Sequence, residues 1–236
     1  MKSFRQFILE AGGQAAGSLE IAKTDLKKAR AYAEKLFKDN DKELSDHIPN
    51  FDSNYKIAQK NAMKGSTVRK DMPVITDDDV REFQRKLKTG SIDVNAPHAD
   101  VTDKKNPFPE GLTGAQAKTF LNAGFKDGEK NDDVVKVSSK KVTVKSLSPI
   151  QKQIYFDKSI AGIAQFGAEA STKFMTSTNF ITSSDYYIID GHHRYLGSML
   201  LDPNMKVNCV VIDLPISKLL PLATAYGDAI GNKRNA

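Results

Sequence analysis

The sequence predicts an α+β protein: a mainly helical first part, then a second part that mixes short strands with helices. Three observations carry this expectation. Apolar residues recur at spacings of three and four between Ser18 and Phe37, the signature of an amphipathic helix. From Val134 onward short β-branched runs take over, at Val134 to Val137, Val142 to Val144, Tyr186 to Ile189 and Lys206 to Asp213. Between the two parts, Asp127 to Asp133 is a polar linker, so the boundary is placed there, giving segments 12–133 and 134–236.

Taken in order, Met1 to Glu10 sets Phe4, Phe7, Ile8 and Ala11 on one helical face before Gly12 and Gly13 break the pattern. Segment 1–11 reads as a detachable amphipathic peptide or, equally, as the first helix of an ordinary domain. Its Ile8-Leu9-Glu10 resembles the capsid-targeting signals of internal head proteins of T-even-type bacteriophages, which a prohead protease cuts. The resemblance implies cleavage after Glu10 and packaging in a phage head.

Leu19, Ala22, Leu26, Ala29, Ala33 and Leu36 then predict one long helix over 18–37 with a lysine-rich outer face. A second helix is predicted from Thr76, a good N-cap, with acids at its start, Arg85, Lys86 and Lys88 at its end and Gly90 as the stop. Residues 91–111 read as a long surface loop, and Thr113 to Leu121 as a short helix. In the second part, Ser148-Pro149 predicts a helix start running towards Gly162, and Pro215 to Ala225 a closing helix.

Composition narrows the class of protein. The 236 residues can bury a full core, and 39% hydrophobic with 27% charged residues is ordinary for a globular chain. A net charge of +6 permits nucleotides, nucleic acid or an acidic surface as partners. The single cysteine, Cys209, excludes an internal disulfide and a multi-cysteine zinc site, and its strand-like surroundings predict a buried, inert thiol. No apolar stretch is long enough to span a bilayer, and a reducing cytoplasm, here that of a host cell, is the default compartment.

The chemistry concentrates in Tyr186 to Arg194. Tyr186 to Ile189 predicts a buried strand and Asp190-Gly191 a turn. From His192 to Leu201, Tyr195, Leu196, Met199 and Leu200 share one apolar helical face, which puts His192, His193 and Arg194 in the first turn. Helix starts favour anions, and a cationic first turn is the wrong charge unless an anion offsets it. Arg194 can grip a phosphate with two parallel hydrogen bonds, while His192 and His193 can donate to oxygens or accept a proton. Asp190 can hold Mg²⁺ or orient a hydroxyl. The same turn could equally be a hairpin with charged, solvated neighbours.

The order strand, Leu147-Ser148-Pro149-Ile150-Gln151, helix, strand ending in Ile-Asp-Gly-His-His-Arg, helix, strand resembles the ParB/sulfiredoxin superfamily. It is especially similar to the phage proteins called ParB-like nucleases. Arg69 to Ile75 and the tail Tyr226 to Asn232 resemble the marine T-even-type branch of that group. The resemblance implies a small mixed sheet with packed helices, and nucleotide phosphates (ATP, ADP or CTP) bound by Gly191, His192, His193 and Arg194, with Gln151 and Lys158 contributing. Asp190 would carry Mg²⁺, and His192, His193 and Asp190 would be catalytic.

Departures from the relatives trim this. His192 stands where sulfiredoxin has its nucleophilic cysteine, and the ParB arginine motifs do not follow Arg194, so neither sulfinic-acid repair nor chromosome partitioning is expected. Gln151 falls where the archaeal free serine kinase has a glutamate base, and the nearest acids are Asp157 and Glu169.

Three functions are compatible with these residues. One is Mg²⁺-dependent phosphoryl transfer or nucleotide hydrolysis. Another is DNA cleavage by the same motif, with Lys64, Arg69, Lys70, Arg81 and Arg85 tracking the backbone, although a nuclease wants more than one convergent carboxylate. The third is a packaged head protein, delivered to a host where it could meet a host protein, with a non-catalytic nucleotide pocket. His47 and His98 read as solvated loop residues.

Overall fold

The computed structural model describes residues 19–69, 72, 77–95, 114–126, 128–129 and 131–231. The 1–11 peptide, His98, Lys70 and most of the 91–111 loop lie outside the described residues. Helices α1 (Leu26–Lys38), α2 (Leu44–His47), α3 (Phe51–Ala62), α4 (Asp77–Lys88) and α5 (Gly114–Phe120) come first. They are followed by β1 (Val137–Thr143), β2 (Ser148–Pro149), α6 (Phe156–Ser177), β3 (Asn179–Thr182), β4 (Tyr187–Asp190), α7 (His192–Leu201), β5 (Lys206–Ile212) and α8 (Ile216–Ala229). The protein is therefore α+β, as its sequence predicts.

The strands form a five-stranded sheet in the order β1-β5-β3-β4-β2. Hydrogen bonds beyond the strand ends fix three of the directions. Val144 N–H donates to Met205 O and Asp213 N–H to Lys136 O, so β1 and β5 run antiparallel. Ser184 N–H donates to Leu214 O just past the ends of β3 and β5, which makes that pair parallel. β3 and β4 form a hairpin: Tyr186 N–H closes the turn on Ser183 O, and Tyr186 itself sits at φ 62°.

By internal contacts the chain divides into two compact units. The first comprises 1–66, 140–181 and 190–209; the second 67–139, 182–189 and 210–236. The linker boundary read from composition at residue 133 falls inside the second unit, where Asp133 is fully buried and accepts a bond from Val94 N–H at 2.7 Å.

The first unit holds Asp190 to Arg194. Its core is an aromatic cluster in which Tyr55 meets Phe156 edge-on at 5.4 Å, and Phe51 meets Phe156 at 6.0 Å. Phe156 opens α6, so burying it fixes where that helix begins; a fully buried Phe is worth about 1.5–3 kcal/mol relative to exposure. α3 braces α7 at both ends. Asn61 Nδ2 donates to the Tyr195 hydroxyl at 3.1 Å, and buried Asn54 Nδ2 donates to Leu200 O at 2.8 Å.

In the second unit α4 ends as expected. Ser91 N–H reaches back to Lys86 O and Gly90, at φ 63°, to Leu87 O. Phe83 on α4 packs on Tyr226 of α8 with ring centres 4.7 Å apart.

Three local expectations are corrected. The helix predicted over 18–37 begins at Leu26, with the Asp25 side chain capping Lys28 N–H at 2.9 Å. Leu19 to Ile21 instead pair with residues 154–156, through Phe156 N–H to Leu19 O at 2.7 Å and Ile21 N–H to Ile154 O at 2.9 Å. Ser148-Pro149 is not a helix start but strand β2, at the sheet edge where a residue without an N–H is tolerated; the helix begins at Phe156.

His47 is not a solvated loop residue either. α6 is broken at Gly167 (φ 83°, ψ 169°), and His47 Nδ1 accepts the Ala168 N–H at 3.3 Å while Lys42 Nζ donates to Gln165 O at 3.1 Å. Tertiary partners thus satisfy the backbone that the break exposes.

Candidate functional site

Asp190 ends β4, and Gly191 turns the chain into α7 at φ 108°, a conformation that L side chains rarely adopt. Space imposes the same choice. A Cβ at Gly191 would lie 2.7 Å from Phe180 Cδ1 and 3.1 Å from an Arg194 terminal nitrogen. α7 follows at once with His192, His193 and Arg194 as its first turn, and Tyr195 N–H to Gly191 O at 2.8 Å is the helix's opening bond.

Arg194 is held on three sides. One terminal nitrogen donates to Asp190 Oδ2 at 2.8 Å, the other to Asn179 O at 3.0 Å, and the guanidinium lies 5.1 Å from the Phe180 ring centre. Arg194 is 15% exposed at its side chain against 51% for Asp190, so the carboxylate is the more accessible member of the pair. The positive charge expected to meet a ligand is thereby partly balanced within the motif.

Both histidines point at the connector between β2 and α6. Buried His192 accepts the Gln151 N–H on Nε2 at 3.3 Å, and His193 accepts the Tyr155 N–H on Nε2 at 3.4 Å. A nitrogen that accepts carries no proton, so each of these bonds is made through an unprotonated Nε2. The His193 ring also lies nearly parallel to that of Tyr155, at 13° and 6.2 Å between centres. Lys158, in the first turn of α6, sits with Nζ 5.5 Å from the Tyr155 ring centre.

These contacts set the helix directions. Tyr155, the N-cap of α6, meets His193, and one turn later Ser159 O lies 3.1 Å from where a Gly197 Cβ would be. α6 and α7 therefore run parallel at their starts, with their positive ends side by side. Each end carries about half an elementary charge and first-turn N–H groups without partners inside the helix.

Of the residues singled out from sequence, Asp190, Gly191, His192, His193, Arg194, Gln151 and Lys158 are brought together. Gln151 enters through its backbone N–H, its side chain being engaged with Gln153 O. Glu169 lies beyond the break in α6 and is exposed. Of the residues proposed to track DNA, Arg81 pairs with Asp78 and Arg85 with Glu82 within α4.

Tyr155, Asn179 and Phe180 were not singled out for the site. Asn179 acts through its carbonyl, which leaves no mark on side-chain type, whereas an aromatic residue just ahead of a helix was a usable signal for Tyr155. Cys209 is fully buried, and burial pushes its thiol up to about 11, which keeps it inert.

Among the described residues no group of three or more His, Cys, Asp or Glu side chains is placed to hold a metal ion, and no helix is long and apolar enough to cross a membrane. Comparison of the chain with protein-family models, curated proteins and solved structures found no match.

Proposed function

We propose that the Asp190 to Arg194 turn and the start of α6 form a nucleotide-phosphate site. The protein would be a phage-encoded enzyme of ParB/sulfiredoxin type, catalysing Mg²⁺-dependent phosphoryl transfer or nucleotide hydrolysis. The carrying observation is the side-by-side start of two parallel helices at the Tyr155–His193 contact. Two positive helix ends, with Lys158 on the first turn of one of them, favour an anion at this mouth.

Gly191 lets the chain turn into α7 close against Phe180 and Arg194, and His193 and Lys158 flank the mouth. Arg194, tied to Asp190, contributes charge and holds the turn in shape. Mg²⁺ binds through one or two carboxylates together with substrate phosphates and water. Half-exposed Asp190, with Oδ2 towards Arg194, fits such a single-carboxylate role. Bound there, the ion would neutralise phosphate charge.

The test is thermal denaturation with ATP, ADP, CTP and GTP, each with and without Mg²⁺, beside an assay of phosphate release. A binding nucleotide at a hundred times its Kd should stabilise the fold by about 2.7 kcal/mol. That stabilisation should shrink in His193→Ala and Lys158→Ala. If no nucleotide at millimolar concentration raises Tm, or if both variants respond as the wild type does, the reading fails.

A further inference from the structure

We infer that His192 is a positioning residue: its Nε2 holds the Gln151 to Tyr155 connector as a hydrogen-bond acceptor, rather than serving as acid or base. The inference rests on the phosphate-site reading for its functional consequence, though not for its geometry. Gln151 N–H points at His192 Nε2 over 3.3 Å, and both residues are buried, at 6% exposure each. A buried amide that loses its acceptor is left unsatisfied away from water, so the imidazole has a structural task that a proton on Nε2 would abolish.

The connector needs such a holder. It carries the chain from β2 at the sheet edge to the N-cap of α6, and the position of that cap decides whether the two helix starts coincide. Ser66 N–H bonds Ile150 O at 2.9 Å just ahead of it, and Leu19 and Ile21 pair with its far end. Gly65 packs against its outer side so closely that a Cβ there would lie 2.5 Å from Gln151 O. From the α7 side, the two adjacent histidines take the Gln151 and Tyr155 amides. Consecutive helix residues thus fasten both ends of one connector.

Glutamine separates the two roles, because its Oε1 can accept near the position of Nε2 but cannot shuttle protons. In His192→Leu, amide hydrogen exchange at Gln151 should rise about tenfold and the KM for nucleotide should rise by a similar factor. His192→Gln should restore both towards wild type. Gly65→Ala, which presses on Gln151 without touching an imidazole, should act in the same direction as His192→Leu.

Unchanged Gln151 exchange in His192→Leu would overturn the inference. So would His192→Gln with wild-type exchange and nucleotide affinity but turnover as low as that of His192→Leu, because His192 would then be the acid or base. If the wild type binds no nucleotide, the phosphate-site reading fails on its own, and exchange at Gln151 still decides whether His192 holds the connector.

Discussion

Arg194 bonds Asp190 across one turn at 2.8 Å while its second terminal nitrogen takes the Asn179 carbonyl, so one side chain ties the end of β4 to the start of β3. The hydrogen-bond pattern needs a planar fork. Arg194→Lys should therefore not substitute for arginine, since one ammonium cannot span both acceptors in that geometry. Arg194→Ala should cost about 1–3 kcal/mol, towards the low end because Asp190 is half-exposed. At about 2–4 °C per kcal/mol for a chain of this size, a thermal melt reads the loss. Arg194→Lys melting like the wild type would contradict it.

Gly191 is fixed by both conformation and space, at φ 108° with Phe180 where a Cβ would go. Gly191→Ala should lower stability by about 1–3 kcal/mol from backbone strain, with the clash adding to it. It should also weaken nucleotide binding, because the turn must move. Chemical denaturation checks the first effect and titration calorimetry the second.

Gly167 interrupts α6, and His47 supplies the acceptor for the Ala168 N–H. His47→Leu keeps bulk beside Phe37 but removes the acceptor, and should cost about 1 kcal/mol. Amide exchange at Ala168 should rise while exchange in the first turns of α6 stays unchanged. Uniform acceleration along α6 would count against a local capping role.

Alkaline pH should destabilise the fold. Burial pushes the Cys209 thiol up to about 11 from 9.0, and the Tyr55, Tyr195 and Tyr226 hydroxyls up to about 12 from 10.0. In the unfolded chain these groups lose their protons at lower pH than in the native protein. Between pH 9 and 11 the unfolded state therefore binds fewer protons at Cys209, and stability falls as pH rises. Urea denaturation from pH 8 upward should show this decline, and Cys209→Ala should flatten its first part. Below pH 8 these groups should contribute no slope.

The motif was legible because it is local. Tyr186 to Ile189 as strand, Asp190-Gly191 as turn and His192 to Leu201 as helix follow from β-branched composition, a turn dipeptide and apolar spacing, all set by neighbours in sequence; the strand lies one residue later, at Tyr187–Asp190. Cys209 in a buried strand was legible for the same reason. Ser148-Pro149 misled, because proline suits a helix's first position and an edge strand equally, and only pairing within the sheet distinguishes them.

What the chain determined by itself is its class and its motif: α+β, with a strand, a glycine turn and a helix start that carries two histidines and an arginine. Tertiary structure decided what those side chains face. His192 and His193 accept backbone N–H groups from a connector some forty residues earlier, and Arg194 is taken up by Asp190, Asn179 and Phe180. Hydrogen-bond partners distant in sequence leave no periodicity, because the pairing depends on how helices and strands pack. The parallel start of α6 and α7, on which the proposed phosphate site rests, exists only once that packing is complete.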